Sequence, residues 1–356
     1  MFKVCIISCG MIANSAHIPA YRMFPDDYTI VAVSDINAQA AENTAKKFGI
    51  PRFYTDAQEM LERECPDVVS VCVPNCFHKQ YTAMALEMGA NVLCEKPLAF
   101  TYADAKELFD LAGRKGKNLM ACQSMRFTPD RLAAKRYIEE NGLNDFYYGE
   151  LSRIRRRGIP YWGSFHIKKI SGGGAFADIG VHMLDSLVWL MGNPAIRSVR
   201  AVTGQNHKDE LGTLTGSGAL TGEVALARKF DPLEMDVEDF SCGELFFENG
   251  ATVAVKVAWA ANMPECSDIR LIGKKAGIFL PERTVICGAH GEETIPKVTV
   301  PYQSAFPGHI YLIDNLKNVL RGKAEPIIRP QETLNVSRIL ELFYRSAESG
   351  TEAFVK

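Results

Sequence analysis

The chain has 356 residues, which is too long for one ordinary hydrophobic core, so two domains are expected. Apolar residues make up 47% and charged residues 23%, a balance that excludes a disordered chain. The 40 basic and 42 acidic residues leave a formal net charge of −2, so the sequence predicts neither nucleic acid nor an anionic membrane as the main partner.

The N-terminal run "FKVCIIS" leads directly into a glycine turn, so we interpret it as a first β-strand rather than a signal peptide. The longest apolar stretches are shorter than the ~20 residues that a membrane span needs. Ten cysteines are scattered without a CxxC pair, mostly in apolar runs where cysteine acts as a small hydrophobe. This pattern predicts a cytoplasmic location, with neither a disulfide framework nor a metal site.

In the first third of the chain, strand-like runs of Val, Ile and Cys alternate with helix-like segments. The strands lack polar alternation, as expected where helices cover both faces of a parallel sheet. Helices end at Gly49, Gly89 and Gly116, and Thr101 with Asp104 forms a capping-box-like helix start. Right-handed crossovers then predict a doubly wound sheet with a ligand crevice at its carboxyl edge. The predicted strands are "FKVCIIS", "YTIVAVSD", "DVVSVCVP", "NVLCEKP" and "NLMACQS".

The first turn, "SCGMIA", is an incomplete form of the dinucleotide fingerprint G-x-G-x-x-G/A, with Ser8 in place of the first glycine. Gly10 stands where the backbone approaches a pyrophosphate, and Ala13 where helix and strand pack closely. Met11 and Ile12 lie between them and are expected to contact the cofactor. The alternative is an ordinary strand-to-helix turn.

The second predicted strand ends at Asp35, 22 residues after Ala13 and close to the ~20-residue interval of an acidic ribose-binding residue. A carboxylate there accepts hydrogen bonds from ribose hydroxyls and repels a 2′-phosphate, and no Arg or Lys follows in "SDINAQ". The sequence therefore predicts NAD rather than NADP. A second role for Asp35, as cap of the helix "NAQAAEN", is compatible with the first.

The third predicted strand leaves through "VPNCFH", where Pro74 stops the strand, Asn75 suits a turn and His78 begins a helix. This loop is expected beside the pyrophosphate and the nicotinamide ribose. A histidine at a helix start is more often a surface residue than a ligand. A surface position without a ligand role is therefore the alternative for His78.

Past residue 124 the pattern changes to a helix, a strand "FYYGELSRIRRRGIP" and a glycine-rich segment "SGGGAFADIGVHMLDSLVWLMG". In the last of these, Asp178 and His182 are four residues apart and are predicted on one face of a helix. Asp185 follows, and a structural role is expected for it. The basic cluster "RIRRRG" is predicted at a solvated or salt-bridged strand edge, from which one arginine can reach a substrate.

Short alternating runs dominate from about 196 to 303, among them "FFENGATVAV" with an Asn-Gly hairpin signal and "KVTVPY". They predict an open antiparallel or mixed sheet packed on helices. The tail reads as two amphipathic helices. A large apolar sheet face is rarely left exposed to solvent, so we expect the chain to form a homodimer or a homotetramer.

Together these motifs resemble the GFO/IDH/MocA oxidoreductase family, which includes glucose–fructose oxidoreductase and inositol dehydrogenase. The resemblance is carried by "SCGMIA", "VPNCFH", "CEKP", "MRFTP", "GGGAFADIGVHMLD" and the later "DVEDF", "FENGAT" region. It implies an α/β Rossmann domain over residues 1–123 that binds NAD. It also implies an α+β domain over residues 124–356, with an open, mainly antiparallel sheet, for substrate binding and oligomerisation.

The same resemblance implies that Lys96, Asp178 and His182 are catalytic and face the nicotinamide. Glu95 and Pro97 then fix the loop that carries Lys96. The expected cofactor contacts are Ser8, Gly10, Met11, Ile12, Asp35, Pro74, Asn75, His78, Glu95, Lys96 and Gln123. The expected substrate contacts are Lys96, Arg126, His166, Asp178 and His182, with Lys168 beside them.

Oxidation of a secondary alcohol needs a proton acceptor, and histidine is best matched to that task near neutral pH. A lysine ammonium stabilises the developing alkoxide, and the nicotinamide takes the hydride. We therefore predict an NAD-dependent oxidoreductase acting on a secondary alcohol or ketone of a sugar or an inositol-like cyclic polyol. The alternatives are an NAD-retaining glycosidase of the same family and a non-catalytic sugar or NAD sensor.

Overall fold

The computed structural model describes residues 1–160, 163–208, 232–288, 291–298 and 306–356. It forms two compact units, one of Met1–Phe127 with Pro301–Leu334 and one of Thr128–Val300 with Asn335–Lys356. The boundary after residue 123 stays a prediction, and the return of a late segment to the first unit is not visible in the sequence pattern. Among the described helices, none has the length and apolarity required to cross a membrane.

The first unit is built on a parallel sheet, which contains six strands in the described residues, in the order β3-β2-β1-β4-β5-β6. This order is that of a dinucleotide-binding Rossmann sheet, so the predicted fold class is confirmed. The strands are β1 (Phe2–Ile7), β2 (Tyr28–Ser34), β3 (Arg52–Tyr54), β4 (Val68–Val71), β5 (Asn91–Cys94) and β6 (Leu119–Ala121).

Both faces of this sheet are buried. Val4 and Ile6 of β1 belong to one apolar cluster, while Cys5 and Ile7 belong to another, so alternate side chains enter different cores. This explains why the strands carry continuous apolar runs. The helices are α1 (Ile18–Arg22), α2 (Ala38–Phe48), α3 (Ala57–Glu64), α4 (His78–Glu87), α5 (Tyr102–Lys115) and α9 (Pro307–Leu320).

Local signals explain most of these boundaries. Thr101 accepts a hydrogen bond from the Asp104 backbone N–H (3.1 Å) and donates to its carboxylate (2.8 Å), so the predicted capping box is confirmed. Gly49 and Gly116 follow α2 and α5 with φ near +62°, a conformation that favours glycine. β3 and α3, which are both short, were not predicted from the sequence.

The second unit contains a mixed sheet in which the described residues form nine strands, in the order β14-β13-β12-β11-β7-β10-β9-β8-β15. Its neighbouring strands are antiparallel except β7 and β10, which run parallel, so the predicted open, mainly antiparallel sheet is confirmed. The strands are β7 (Phe146–Ile154), β8 (Ile196–Gly204), β9 (Phe240–Phe247), β10 (Thr252–Ala258), β11 (Cys266–Gly273), β12 (Gly277–Leu280), β13 (Thr284–Cys287), β14 (Gly291–Thr294) and β15 (Ala353–Phe354).

The cluster "RIRRRG" begins at the end of β7, an internal strand between β10 and β11, and continues past it, where Arg156 is exposed as expected for a solvated position. The predicted strand "KVTVPY" lies partly outside the described residues, and its described part, 297–298, is not in a strand. Residues 209–231 of the predicted alternating region also lie outside the described residues. The remaining helices are α6 (Pro129–Glu140), α7 (Lys168–Ser171), α8 (Val181–Leu190) and α10 (Pro330–Ser349).

Candidate active site

The turn after β1 keeps the backbone shape of a dinucleotide turn despite the missing first glycine. Ser8 has φ +80°, the left-handed region that a side chain adopts at a cost and glycine adopts freely. Its hydroxyl lies 3.4 Å from Asp35 Oδ2, and the Cys9 backbone N–H donates to the same oxygen at 2.8 Å. The carboxylate therefore fastens the turn to the end of β2.

Asp35 lies directly after β2, at the carboxyl edge of the sheet, as predicted for a ribose-binding residue. Its second oxygen accepts a hydrogen bond from the Asn37 backbone N–H (2.9 Å). The cap of α2 is Asn37, whose side chain accepts from Gln39 and Ala40, so the expected capping role of Asp35 was wrong.

The turn fits a dinucleotide. A Cβ added to Gly10 would meet only the Ser8 hydroxyl, at 3.7 Å, which is ordinary van der Waals contact, and the residue is exposed. The protein itself leaves the space above Gly10 open, as close approach of a pyrophosphate requires. Met11 and Ile12 are half-buried at the start of the following helical segment.

Two further predicted cofactor contacts follow β4 and β6, at the carboxyl edge of the same sheet. Pro74 is exposed and precedes a 3₁₀ turn, Asn75–Phe77, that leads into α4. Gln123 follows β6 and is only 2% exposed, and its amide oxygen accepts no hydrogen bond from the described residues. A buried, unpaired amide oxygen is costly, so Gln123 fits the role of accepting from a bound ligand.

His78 is buried rather than exposed, so the surface alternative was wrong. Its Nδ1 lies 2.6 Å from the Pro97 carbonyl oxygen and its Nε2 lies 2.9 Å from the Val73 carbonyl oxygen. Burial lowers the pKa of His78, although both carbonyl contacts oppose this. The ring is therefore neutral at pH 7, and a neutral ring donates to only one of the two carbonyls at a time.

Glu95 is a buried carboxylate surrounded by donors. His17 Nε2 lies 2.9 Å and His309 Nε2 3.3 Å from its Oε1, and the Cys122 thiol lies within 4.8 Å of it. The Lys96 backbone N–H donates to Oε2 at 3.2 Å. Burial raises the pKa of Glu95, but the hydrogen bonds from His17 and His309 outweigh it and hold the pKa well below its ordinary value.

His17 forms a hydrogen bond to Glu95 rather than an ion pair. Burial lowers the pKa of His17 more than the carboxylate raises it, so a neutral imidazole donates to an ionised carboxylate. The donor atoms of His17, Glu95, Cys122 and His309 all lie within 4.8 Å of one another, a set that would also suit a divalent transition metal. The sequence analysis missed this cluster because its members come from four distant segments.

In the second unit, Asp178 and His182 lie on one continuous helical stretch. Asp178 belongs to a π-helical turn, Phe176–Gly180, which continues directly into α8 with His182 in its first turn. The predicted helix is therefore confirmed, with a wider first turn than expected. Asp178 Oδ2 accepts a hydrogen bond from the Trp259 indole N–H at 2.9 Å, which fixes the carboxylate.

A second carboxylate, Glu238, holds the glycine-rich segment that precedes Asp178. Its two oxygens accept from the backbone N–H groups of Gly174 (2.8 Å) and Phe176 (3.1 Å) and from the Tyr344 hydroxyl (2.8 Å). A Cβ on Gly174 would lie 1.9 Å from the Glu238 carbonyl oxygen, so only glycine fits there. The sequence analysis assigned no role to Glu238, Trp259 or Tyr344.

Several predicted substrate residues have partners within their own unit. Arg126 is buried against Glu332 and the Ile327 carbonyl oxygen, and Lys168 pairs with Glu348 at 2.6 Å. His166 is 1% exposed, with Nε2 3.8 Å from Glu234. Asp185 is buried in α8. The roles of Arg126, His166 and Lys168 toward a substrate stay predictions, as does the structural role of Asp185.

Arg153, from the "RIRRRG" cluster, interacts electrostatically with Asp178 of the second-unit site. Burial lowers its pKa, as does the neighbouring Arg155, while the charge of Asp178 acts in the opposite direction. In the sequence, Arg153 was indicated by the basic cluster that begins at the end of β7.

Comparison with known proteins identifies the class. The model of an oxidoreductase family with an NAD-binding Rossmann fold matches residues 2–122, and that of the GFO/IDH/MocA C-terminal domain matches residues 132–279. The chain is an NAD-dependent oxidoreductase that acts on CH–OH groups. It belongs to the GFO/IDH/MocA family, and its cofactor is NAD.

The relatives agree in fold and class. The chain is 34% identical over 352 residues to D-glucoside 3-dehydrogenase of Escherichia coli K12, covering 98% of this chain and 96% of that protein. It is 28% identical over 271 residues to levoglucosan dehydrogenase of Pseudarthrobacter phenanthrenivorans, covering 69% and 65%. The WlbA dehydrogenase from Bordetella pertussis, crystallised with NADH and UDP-GlcNAcA, superposes with a TM-score of 0.77 at 22% identity, covering 100% and 99% of the two chains.

Proposed function

We propose that the protein oxidises a secondary ring hydroxyl of a sugar, or reduces the corresponding ketone, with NAD. The proposal is carried by the 34% identity to a D-glucoside 3-dehydrogenase across nearly the whole of both chains. That relative, together with the levoglucosan dehydrogenase, favours a sugar ring over the inositol-like polyol that the sequence also allowed. A homodimer or homotetramer and a cytoplasmic location stay predictions.

In this proposal, His182 accepts the proton of the substrate hydroxyl and returns it in the reverse direction. Lys96 donates a hydrogen bond to the same oxygen and stabilises its developing negative charge. Asp178, held by the Trp259 indole, orients the substrate and His182. When bound, the nicotinamide supplies the hydride acceptor.

On the cofactor side, the turn at Ser8–Gly10 and the carboxylate of Asp35 are assigned to the pyrophosphate and the adenosine ribose. The Asn75 loop, His78 and Gln123 are assigned to the nicotinamide half. The switch in strand order lies between β1 and β4, so β1 and β2 end on one side of it and β4, β5 and β6 end on the other. The two halves of the cofactor are assigned to these two sides.

The test is NADH absorbance with purified protein and a panel of D-glucosides, aldoses, anhydro-sugars and inositols. His182→Ala and Lys96→Ala should each lower kcat by about 10²–10⁴-fold, the range for a general base or a charge-stabilising donor, while NAD affinity changes little. Lys106→Ala on the exposed face of α5 serves as control, because Lys106 pairs only with its helix neighbour Asp110 in the described contacts.

Each outcome separates the candidates. NADH formation with a sugar, lost in His182→Ala, supports the proposal, and turnover limited to inositols would replace the sugar with a cyclic polyol. Release of free sugar from a glycoside without net NADH would identify the NAD-retaining glycosidase. NAD binding without turnover of any compound, and with both variants equal to wild type, would favour the sensor.

A further inference from the structure

We propose that His309 and His17 are positioning residues that hold the Lys96 loop in place through the carboxylate of Glu95. The proposal rests on the catalytic role of Lys96 proposed above. Neither histidine needs to touch substrate or cofactor in this account, because both act through Glu95.

Glu95 is the centre of the arrangement. Its Oε1 is shared by the two imidazoles, at 2.9 Å from His17 Nε2 and 3.3 Å from His309 Nε2, while Oε2 faces the Lys96 backbone N–H at 3.2 Å. His17 is fully buried, and Glu95 and His309 are 8% and 6% exposed. A buried carboxylate that loses a donor must find another or shift, so each imidazole helps to fix the position of Glu95 and therefore of the adjacent backbone.

His17 is itself held from behind. Its Nδ1 lies 3.2 Å from the Ser70 hydroxyl, which in turn lies 2.9 Å from the Tyr21 hydroxyl. This chain of contacts fixes the ring plane and directs Nε2 toward Glu95. All four groups are buried in the first unit, where such networks are stiff because no water competes for the donors.

The other side of Lys96 is held as well. The Pro97 carbonyl oxygen lies 2.6 Å from His78 Nδ1, so the residues before and after Lys96 each contact a buried histidine. A catalytic lysine on a loop needs this support, because a displacement of about 1 Å at the reacting group can cost a hundredfold in rate.

His309 comes from the late segment that returns to the first unit, 214 residues after Glu95. Its docking is tight: a Cβ on the preceding Gly308 would lie 2.1 Å from the Ser124 carbonyl oxygen. Arg126 ties the same region to Glu332 and the Ile327 carbonyl oxygen. The position of the Lys96 loop therefore depends on a chain segment that supplies none of the described strands of its sheet.

The same side-chain atoms could ligate a divalent metal, but hydrogen bonds explain their arrangement better. Glu95 Oε1 stands at hydrogen-bond distance from both Nε2 atoms, and Oε2 stands at hydrogen-bond distance from the Lys96 backbone N–H. The carboxylate is thus already surrounded by donors. Metal content is nevertheless part of the test.

The experiment compares His309→Ala with His309→Gln, whose amide N–H can replace Nε2–H as donor to Glu95. We expect His309→Ala to lower kcat at least tenfold while the Kd for NAD stays within about twofold of wild type, and His309→Gln to recover most of kcat. Thermal unfolding is measured for both variants. If His309 had only a structural role, the loss of kcat in each variant would be proportionate to its fall in Tm. Lys96→Ala and Lys106→Ala are measured alongside.

Three results would overturn the proposal. The first is a wild-type kcat in His309→Ala together with a lowered kcat in Lys96→Ala. That result would refute the positioning role of His309 and leave the catalytic role of Lys96 in place. The second is equal loss in His309→Ala and His309→Gln. The third is one equivalent of zinc in purified wild-type protein by elemental analysis that both variants lose. Wild-type kcat in Lys96→Ala would instead remove the proposed function of Lys96, and the positioning role with it.

Discussion

Positions 8 and 10 of the turn after β1 favour glycine for two different reasons. At position 8 the reason is conformational, because φ is +80°, and serine there costs about 1–2 kcal/mol relative to glycine. At position 10 the protein imposes no such demand, since an added Cβ would meet only the Ser8 hydroxyl at 3.7 Å. Any requirement for glycine at position 10 is therefore expected to come from a bound ligand.

This distinction gives a prediction for Gly10→Ala. The variant should unfold in urea at the wild-type midpoint, because its Cβ finds open space, but its Kd for NAD should rise at least tenfold, because the methyl group occupies the pyrophosphate approach. Gly113→Ala in α5 is the matched control, since nothing lies within 4 Å of its Cβ either. The control should bind NAD like wild type. Unchanged NAD affinity in Gly10→Ala would mean that the pyrophosphate does not lie on this turn.

At the scale of elements, the segment that carries Asp178 is held from outside its own helix. Glu238 accepts from two backbone N–H groups at the start of the π-helical turn, and Trp259 donates to Asp178 itself. A π-helical turn is a rare and strained form of helix. The surrounding hydrogen bonds supply the stability that the turn lacks alone.

Glu238→Gln therefore should destabilise the protein by about 1–3 kcal/mol, because an amide N–H₂ would face donors that now meet a carboxylate oxygen. Its kcat should fall while NAD affinity is retained, since the change reaches Asp178 and leaves the first unit intact. The measurements are urea unfolding and steady-state kinetics, with Glu244→Gln on the exposed side of β9 as the control. A variant as stable and active as wild type would show that the segment holds itself.

Patterns within one segment were readable from the sequence. The continuous apolar strands, the capping box at Thr101 and the helix through Asp178 and His182 were predicted correctly, because each follows from neighbours a few residues apart. β3 and α3 were missed because both are short: β3 has only three residues, two of them exposed, and α3 has eight, most of them polar.

Contacts between distant segments could not be predicted. Glu238 meets Gly174 across 64 residues, Trp259 meets Asp178 across 81, and His309 meets Glu95 across 214. No periodicity in one sequence encodes such pairs, because they depend on how the elements pack. The same reason explains why His78 looked like a surface residue and is buried.

For the molecule as a whole, buried histidines make stability depend on pH. Burial lowers the pKa of His17 and His78 from their ordinary value of 6.5, so the unfolded chain binds protons at a higher pH than the folded protein does. Acidification through this range therefore favours unfolding. The carboxylate of Glu95 acts in the same direction at lower pH: its depressed pKa gives stability that is present above about 4.5 and lost as the pH falls through the folded value.

We therefore expect the free energy of unfolding of the first unit to fall between pH 7.5 and pH 5.5. Well below pH 6.5 each of the two histidines contributes at most about 1.4 kcal/mol per pH unit, and Glu95 remains ionised throughout. The measurement is urea unfolding of the whole chain in this pH range, with and without NAD, since NAD assigns a transition to the first unit by stabilising it. His78→Gln removes one titrating group and should flatten the slope, while keeping a side-chain donor for the Pro97 carbonyl. A free energy independent of pH in the wild type, or an unaltered slope in His78→Gln, would mean that these rings take up protons equally well in the folded and unfolded chain.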